Sequence, residues 1–130
     1  MNYRSALLIA ALIAPVPAFA QTDPCATAQT QMDLNACTDQ AYRAADLALN
    51  QTYQTLRKRL SEESRSKLKD AQRAWITFRD AECTFIASGV EGGSAQPMVH
   101  SSCLTNLTRE RTETLAKQME CPEGDLACPR

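Results

Sequence analysis

The stretch "AQRAWITFRDAEC", residues 71–83, holds the only tryptophan of the chain, Trp75, together with Phe78, the arginines Arg73 and Arg79, Asp80 and a closing Cys83. It reads either as a site that does chemistry or as the seam of a helical bundle. Extended in both directions, the pattern favours the seam. Leu68, Ala71, Trp75, Phe78, Ala81 and Phe85 recur at helical spacing and define one apolar face, on which Trp75 and Phe78 are expected to be core anchors. Ser61, followed by Glu62 and Glu63, caps the start of this helix and places negative charge in its first turn, where the helix dipole favours it.

Upstream, Thr30 and Asp33 stand three apart in "TQMD", a variant of the capping box that marks a helix start. No glycine or proline follows until Gly89. Tyr42, Leu49 and Leu56 form one heptad series and Asp46, Tyr53 and Leu60 another, so a carboxylate sits in an apolar register. A helix over residues 31–60 would be roughly 45 Å long and needs a partner of similar length. The break before Ser61 is short, which predicts an antiparallel hairpin. Residues 88–97, "SGVEGGSAQP", cannot continue the second helix. A third helix then carries Leu104, Leu107, Arg111, Leu115 and Met119, with Arg111 again in an apolar register, and "CPEGDLACPR" reads as a turn-rich tail. The expected fold is all-α: a disulfide-stapled helical bundle made of a long antiparallel helix hairpin plus a third packed helix.

The amino end, "MNYRSALLIAALIAPVPAFA", has a basic residue at Arg4, a short apolar run and small residues at Ala18 and Ala20, the layout of a secretory signal peptide cleaved after Ala20. The apolar run is too short for a membrane helix and is broken by Pro15 and Pro17. Residues 1–20 are therefore read as the leader and 21–130 as a single helical domain, periplasmic or secreted, with no stable membrane insertion and, lacking a cysteine at position 21, no lipid anchor on the new terminus. Fourteen basic residues against fifteen acidic ones give a net charge of −1, which argues against general nucleic-acid binding.

Six cysteines, Cys25, Cys37, Cys83, Cys103, Cys121 and Cys128, all follow the leader, and an even count in a small exported chain reads as a disulfide framework. Zinc is the competing account, but there is no close C-x-x-C pair and His100 is the only histidine, so no metal and no cofactor is expected. The nearest-neighbour pairing is preferred because each bridge then staples one irregular segment to a helix.

Asp46 and Arg111 admit two readings. Either each lies at a stripe's edge with its charge in water, or the two form an ion pair, with Arg79 the main competing partner for Asp46. Arg73 and Asp80 read as a solvated face, Glu62 and Glu63 as first-turn charges, and His100 as a surface residue near the third helix's start. Without a nucleophile–histidine arrangement, a phosphate loop or metal spacing, catalysis ranks last among the functions considered.

In combination, "TQMDLNACTDQAYRAADLALNQTY", "AQRAWITFRDAEC", "GGSAQPM" and "CLTNLTRERTETL" resemble the lysozyme-inhibitor LprI-like family, over residues 25–119. The resemblance implies an exported, mostly helical protein, in a family named for a member that inhibits lysozyme. The first functional expectation is a periplasmic binding protein that inhibits lysozyme-type muramidases. The alternative is an envelope interaction protein, an immunity or assembly factor, with an unrelated protein partner. The partner-facing surface is expected on the glycine-rich loop, with Glu91, Ser94, Gln96 and the backbone N–H groups of Gly92 and Gly93 making the contact.

Overall fold

The structure is a computed structural model that describes residues 25–122 and 124–129; the leader and the cleavage point after Ala20 lie outside the described residues. Three α-helices follow in order: α1 (Gln31–Arg57), α2 (Glu62–Ala87) and, after a 3-10 turn at Ser88–Val90, α3 (Gln96–Lys117). The expected helix starts are present. Thr30 caps α1 in a full capping box, its hydroxyl accepting from the Asp33 N–H while the Asp33 carboxylate accepts from the Thr30 N–H. Ser61 caps α2 by accepting from the Ser64 N–H. Pro97 stands in the first turn of α3, where its missing N–H costs nothing.

The three helices form the expected bundle, and the arrangement within it has its own logic. The turn at residues 58–61 reverses the chain into α2, whose backbone lies nearer α3 than α1, and α3 then runs parallel to α1. At one end Asn35 Nδ2 donates to the Ser94 carbonyl at 3.0 Å; at the other Arg59 Nη1 donates to the Met119 carbonyl at 3.1 Å. The closest backbone approach is between α1 and α3, not within the α1–α2 hairpin. Small side chains make it possible. Ala45 on α1 and Ser101, Thr105 and Thr108 on α3 are buried, and the Thr105 hydroxyl donates back to the Ser101 carbonyl at 2.8 Å, so that donor is satisfied within its own helix.

Apolar side chains gather at the two ends of the bundle. Leu49, Leu56, Leu60 and Leu115 form one cluster near the α1–α2 turn, with Tyr53, Leu68, Trp75 and Met119 packed on it. Cys83, Cys103 and Leu104 form the other, with Tyr42 and Leu107 alongside. Disulfides join Cys25 to Cys37, Cys83 to Cys103 and Cys121 to Cys128, the nearest-neighbour set. The first ties the segment before α1 to that helix, the second ties α2 to α3, and the third closes the tail.

The face that α2 turns inward differs from the one its apolar period suggests. Its buried residues are Gln72, Arg79, Cys83 and Ala87, with Leu68 and Trp75 partly covered. Phe78, expected as a core anchor, is 54% exposed, Phe85 is 72% exposed, and Ala71 and Ala81 also face outward. The cause is covalent and electrostatic. Cys83 must face α3 to reach Cys103, and Arg79, one turn earlier on the same side, fills the space between the helices. Phe78 is the neighbour of Arg79 in sequence and points about 100° away from it.

The capping box carries a pH signature. The Thr30 hydroxyl and N–H hold the Asp33 carboxyl below its usual 3.8, so its contribution to stability is complete above that value and is lost as the pH falls through the lower, folded-state value. Replacement of Thr30 by alanine is expected to cost about 1 kcal/mol at neutral pH in urea unfolding. As the pH falls through the folded-state value of Asp33, the difference between variant and wild type is expected to shrink; a constant difference down to the acid limit of folding would show that the box does not form.

Candidate functional site

Between the two apolar clusters lies a polar layer centred on Arg79, whose side chain is only 7% exposed. All three helices contribute to it. From α2, Asp80 accepts from Arg79 Nε at 2.9 Å and sits 2.8 Å from Nη2. From α1, the Asp46 carboxylate lies 3.7 Å from Nη1 and the Tyr42 ring 5.5 Å from the guanidinium carbon. From α3, the Thr108 hydroxyl accepts from Nη1 at 3.5 Å. Trp75, one turn before Arg79, lies under two cations: the guanidinium carbon of Arg79 is 5.2 Å from its ring and that of Arg111 is 5.8 Å.

This geometry decides between the readings of Asp46 and Arg111. They do not pair with each other. Asp46 faces Arg79, the competing partner, and Arg111 Nε donates to Gln72 Oε1 at 3.0 Å. Burial lowers the Arg111 pKa from its usual value. Burial likewise pushes the Tyr42 phenol up, against the opposing charge of Arg79. A guanidinium so closely surrounded has no free edge for a substrate, and the layer joins helices.

The loop between α2 and α3 is placed differently. Glu91, Gly92, Gly93 and Ser94 are exposed at the end of the bundle, and Gln96, expected in the loop, already belongs to the first turn of α3. Gly92 adopts φ +73°, a conformation that a residue with a Cβ rarely takes. The loop is braced from three sides. The Cys83–Cys103 bridge closes its base, Asn35 on α1 donates to the Ser94 carbonyl, and the Gly92 N–H donates to Gln96 Oε1 at 2.9 Å.

That bracing changes what the loop can offer. The N–H of Gly92 is taken by Gln96, and the N–H of Gly93 donates to the Val90 carbonyl at 3.0 Å. Both backbone donors expected to meet a partner are thus used within the loop, and the Gln96 oxygen with them. The exposed chemistry consists of the Glu91 carboxylate and the Ser94 hydroxyl. Beside them a groove of about 290 Å³ is lined by Thr84, Ala87, Gln96, Pro97 and His100. Sequence reasoning missed this groove, since its residues come from α2 and α3 and share no motif.

The fold and its braced end define a small, disulfide-stapled three-helix protein with a fixed, polar surface loop. The chain belongs to the family described as "Lysozyme inhibitor LprI", whose model matches residues 22–115. A Rhizobium meliloti (strain 1021) protein with the description "Uncharacterized protein R02472" is similar to it, 42% identical over 130 residues that take in 90% of this chain and 94% of the relative. No solved structure matches the chain.

Replacing Arg79 by alanine is expected to destabilise the protein by about 3 kcal/mol or more, because contacts to three helices are lost at once and a buried void remains. Lysine, which keeps the charge without the planar fork, should recover only part of this. Asp46→Ala is expected to cost less than about 1 kcal/mol, since its carboxylate is 42% exposed and the contact is long. In a double-mutant cycle Asp46→Ala and Arg111→Ala should be additive within about 0.5 kcal/mol; a larger coupling would reinstate the pair that the structure separates.

Proposed function

We propose that the chain is exported, loses residues 1–20, and acts in the periplasm or outside the cell as a non-catalytic inhibitor of lysozyme-type muramidases. Membership of a family described as lysozyme inhibitors is the observation that carries this reading. Three disulfides agree with an oxidising compartment, and among the described residues no helix is long and apolar enough to cross a membrane.

The braced loop is the surface we assign to the enzyme. A retaining muramidase cleft presents one protonated and one ionised carboxyl group and is shaped for an extended sugar chain. In this proposal the Ser94 hydroxyl enters that cleft as a hydrogen-bond partner, and the Glu91 carboxylate meets a basic rim outside it. Because Gly92, Gly93 and Gln96 are already bonded among themselves, the loop loses little freedom on binding. Gln96 thus acts by holding the loop in shape.

Clearing of a peptidoglycan suspension by lysozymes of several classes tests the proposal. Micromolar protein should slow clearing for at least one class. The Glu91→Ala, Ser94→Ala double variant is expected to weaken inhibition about tenfold or more, equivalent to about 1.4 kcal/mol, with circular dichroism unchanged. Gln96→Ala should weaken it less, through the loosened loop. Clearing that proceeds at the same rate with every lysozyme would remove the inhibitor reading and leave an interaction protein with another partner; inhibition that survives the double variant would move the site elsewhere on the molecule.

A further inference from the structure

The inward turn of Arg79 and Cys83 leaves α2 with a second, outward apolar stripe. Ala71, Ala74, Phe78, Ala81 and Phe85 are all exposed and lie along one side of the helix at heptad-like spacing. None of them is charged. Contiguous apolar surface of this kind, on a helix whose other side is already packed, marks an interaction site rather than a solvated face.

We propose that this stripe pairs with the same stripe of a second copy, the two α2 helices crossing antiparallel about a two-fold axis at Phe78. The sequence register supplies the self-complementarity that such an interface requires. With Phe78 opposite its own copy, Phe85 of each protomer falls opposite Ala71 of the other, so each Phe85 ring meets a small side chain. The second pair of alanines, Ala74 and Ala81, leaves room for the backbones to approach. Charge selects the same orientation. A parallel pairing would set Lys67 against Lys67, Asp70 against Asp70 and Glu82 against Glu82; the antiparallel one places these charges beside uncharged residues near Gly89, Ile86 and Ala74. The helix dipoles also oppose in this orientation.

The surface available suits a modest association. With Phe78 54% and Phe85 72% exposed, the four rings of a dimer offer on the order of 500 Å², about a third of what a standard specific interface buries. The alanines and the half-exposed Ile86 supply further area, which points to a dimer at the weak end of the range. The stripe lies along the side of α2 and includes neither Glu91 nor Ser94, so the two surfaces can be tested with separate substitutions.

Sedimentation of the mature, oxidised protein from about 1 to about 200 μM is expected to show a monomer–dimer equilibrium. Phe78→Glu should weaken it at least tenfold while leaving circular dichroism unchanged, because the ring makes no part of the core. The register is read by mild oxidation of single cysteine variants. Phe78→Cys should cross-link to its own copy, whereas Ala71→Cys should not, since two copies of that position lie roughly 20 Å apart in this arrangement. A wild type that sediments as a monomer throughout overturns the proposal, as does equal cross-linking of both variants. A monomer whose binding to lysozyme is abolished by Phe78→Glu also overturns it and assigns the stripe to the enzyme instead; failure of the inhibitor reading alone leaves the dimer result intact.

Discussion

The burial of one guanidinium organises this protein. Arg79 is enclosed by Tyr42 and Asp46 from α1, Trp75 and Asp80 from α2, and Thr108 from α3. Desolvating such a cation is costly unless carboxylates and aromatic faces replace its water, and here both do. The balance holds only when all three helices stand at the right height. This side chain therefore helps to set the register of the bundle, which the leucine contacts of the two apolar clusters, being non-directional, would not do alone.

The spacing of the helices follows from the same layer. Arginine, tryptophan and glutamine side chains on α2 reach toward α1 and α3 and keep that helix at a distance, whereas alanine, serine and threonine let α1 and α3 come close. Trp75 lies between Arg79 and Arg111 and thereby links the polar layer to the leucine cluster beneath it. The Cys83–Cys103 bridge then fixes the rotation of α2 at its far end. With rotation fixed by sulfur and by a cation, the helix is free to carry a second apolar stripe on its outer side.

The proposed site benefits from this rigidity at a distance. The glycine-rich loop leaves α2 just after the bridge and enters α3 at Gln96, so both of its ends are anchored in the part of the bundle that the disulfide locks. Its internal hydrogen bonds occupy the N–H groups of Glu91, Gly92 and Gly93 and turn a flexible composition into a fixed shape. What such a loop presents is a shape carrying a carboxylate and a hydroxyl, an arrangement suited to recognition.

Local chemistry determined much of this protein before any packing. Thr30 with Asp33 and Ser61 with its two glutamates mark helix starts because a cap acts within one turn, and the long stretch without glycine or proline admits little besides helix. The even cysteine count and the motifs around Trp75 carried the family in the same way. The tertiary structure alone decided which face of α2 points inward, that Asp46 meets Arg79 while Arg111 meets Gln72, and that α1 approaches α3 most closely. Hydrophobic period registers apolar residues and is blind to a buried cation, so it placed Phe78 inside. A helix with two apolar sides offers two rotations, and the choice between them rests on contacts with residues about thirty positions away in sequence, Thr108 and Asp46, which no local pattern contains.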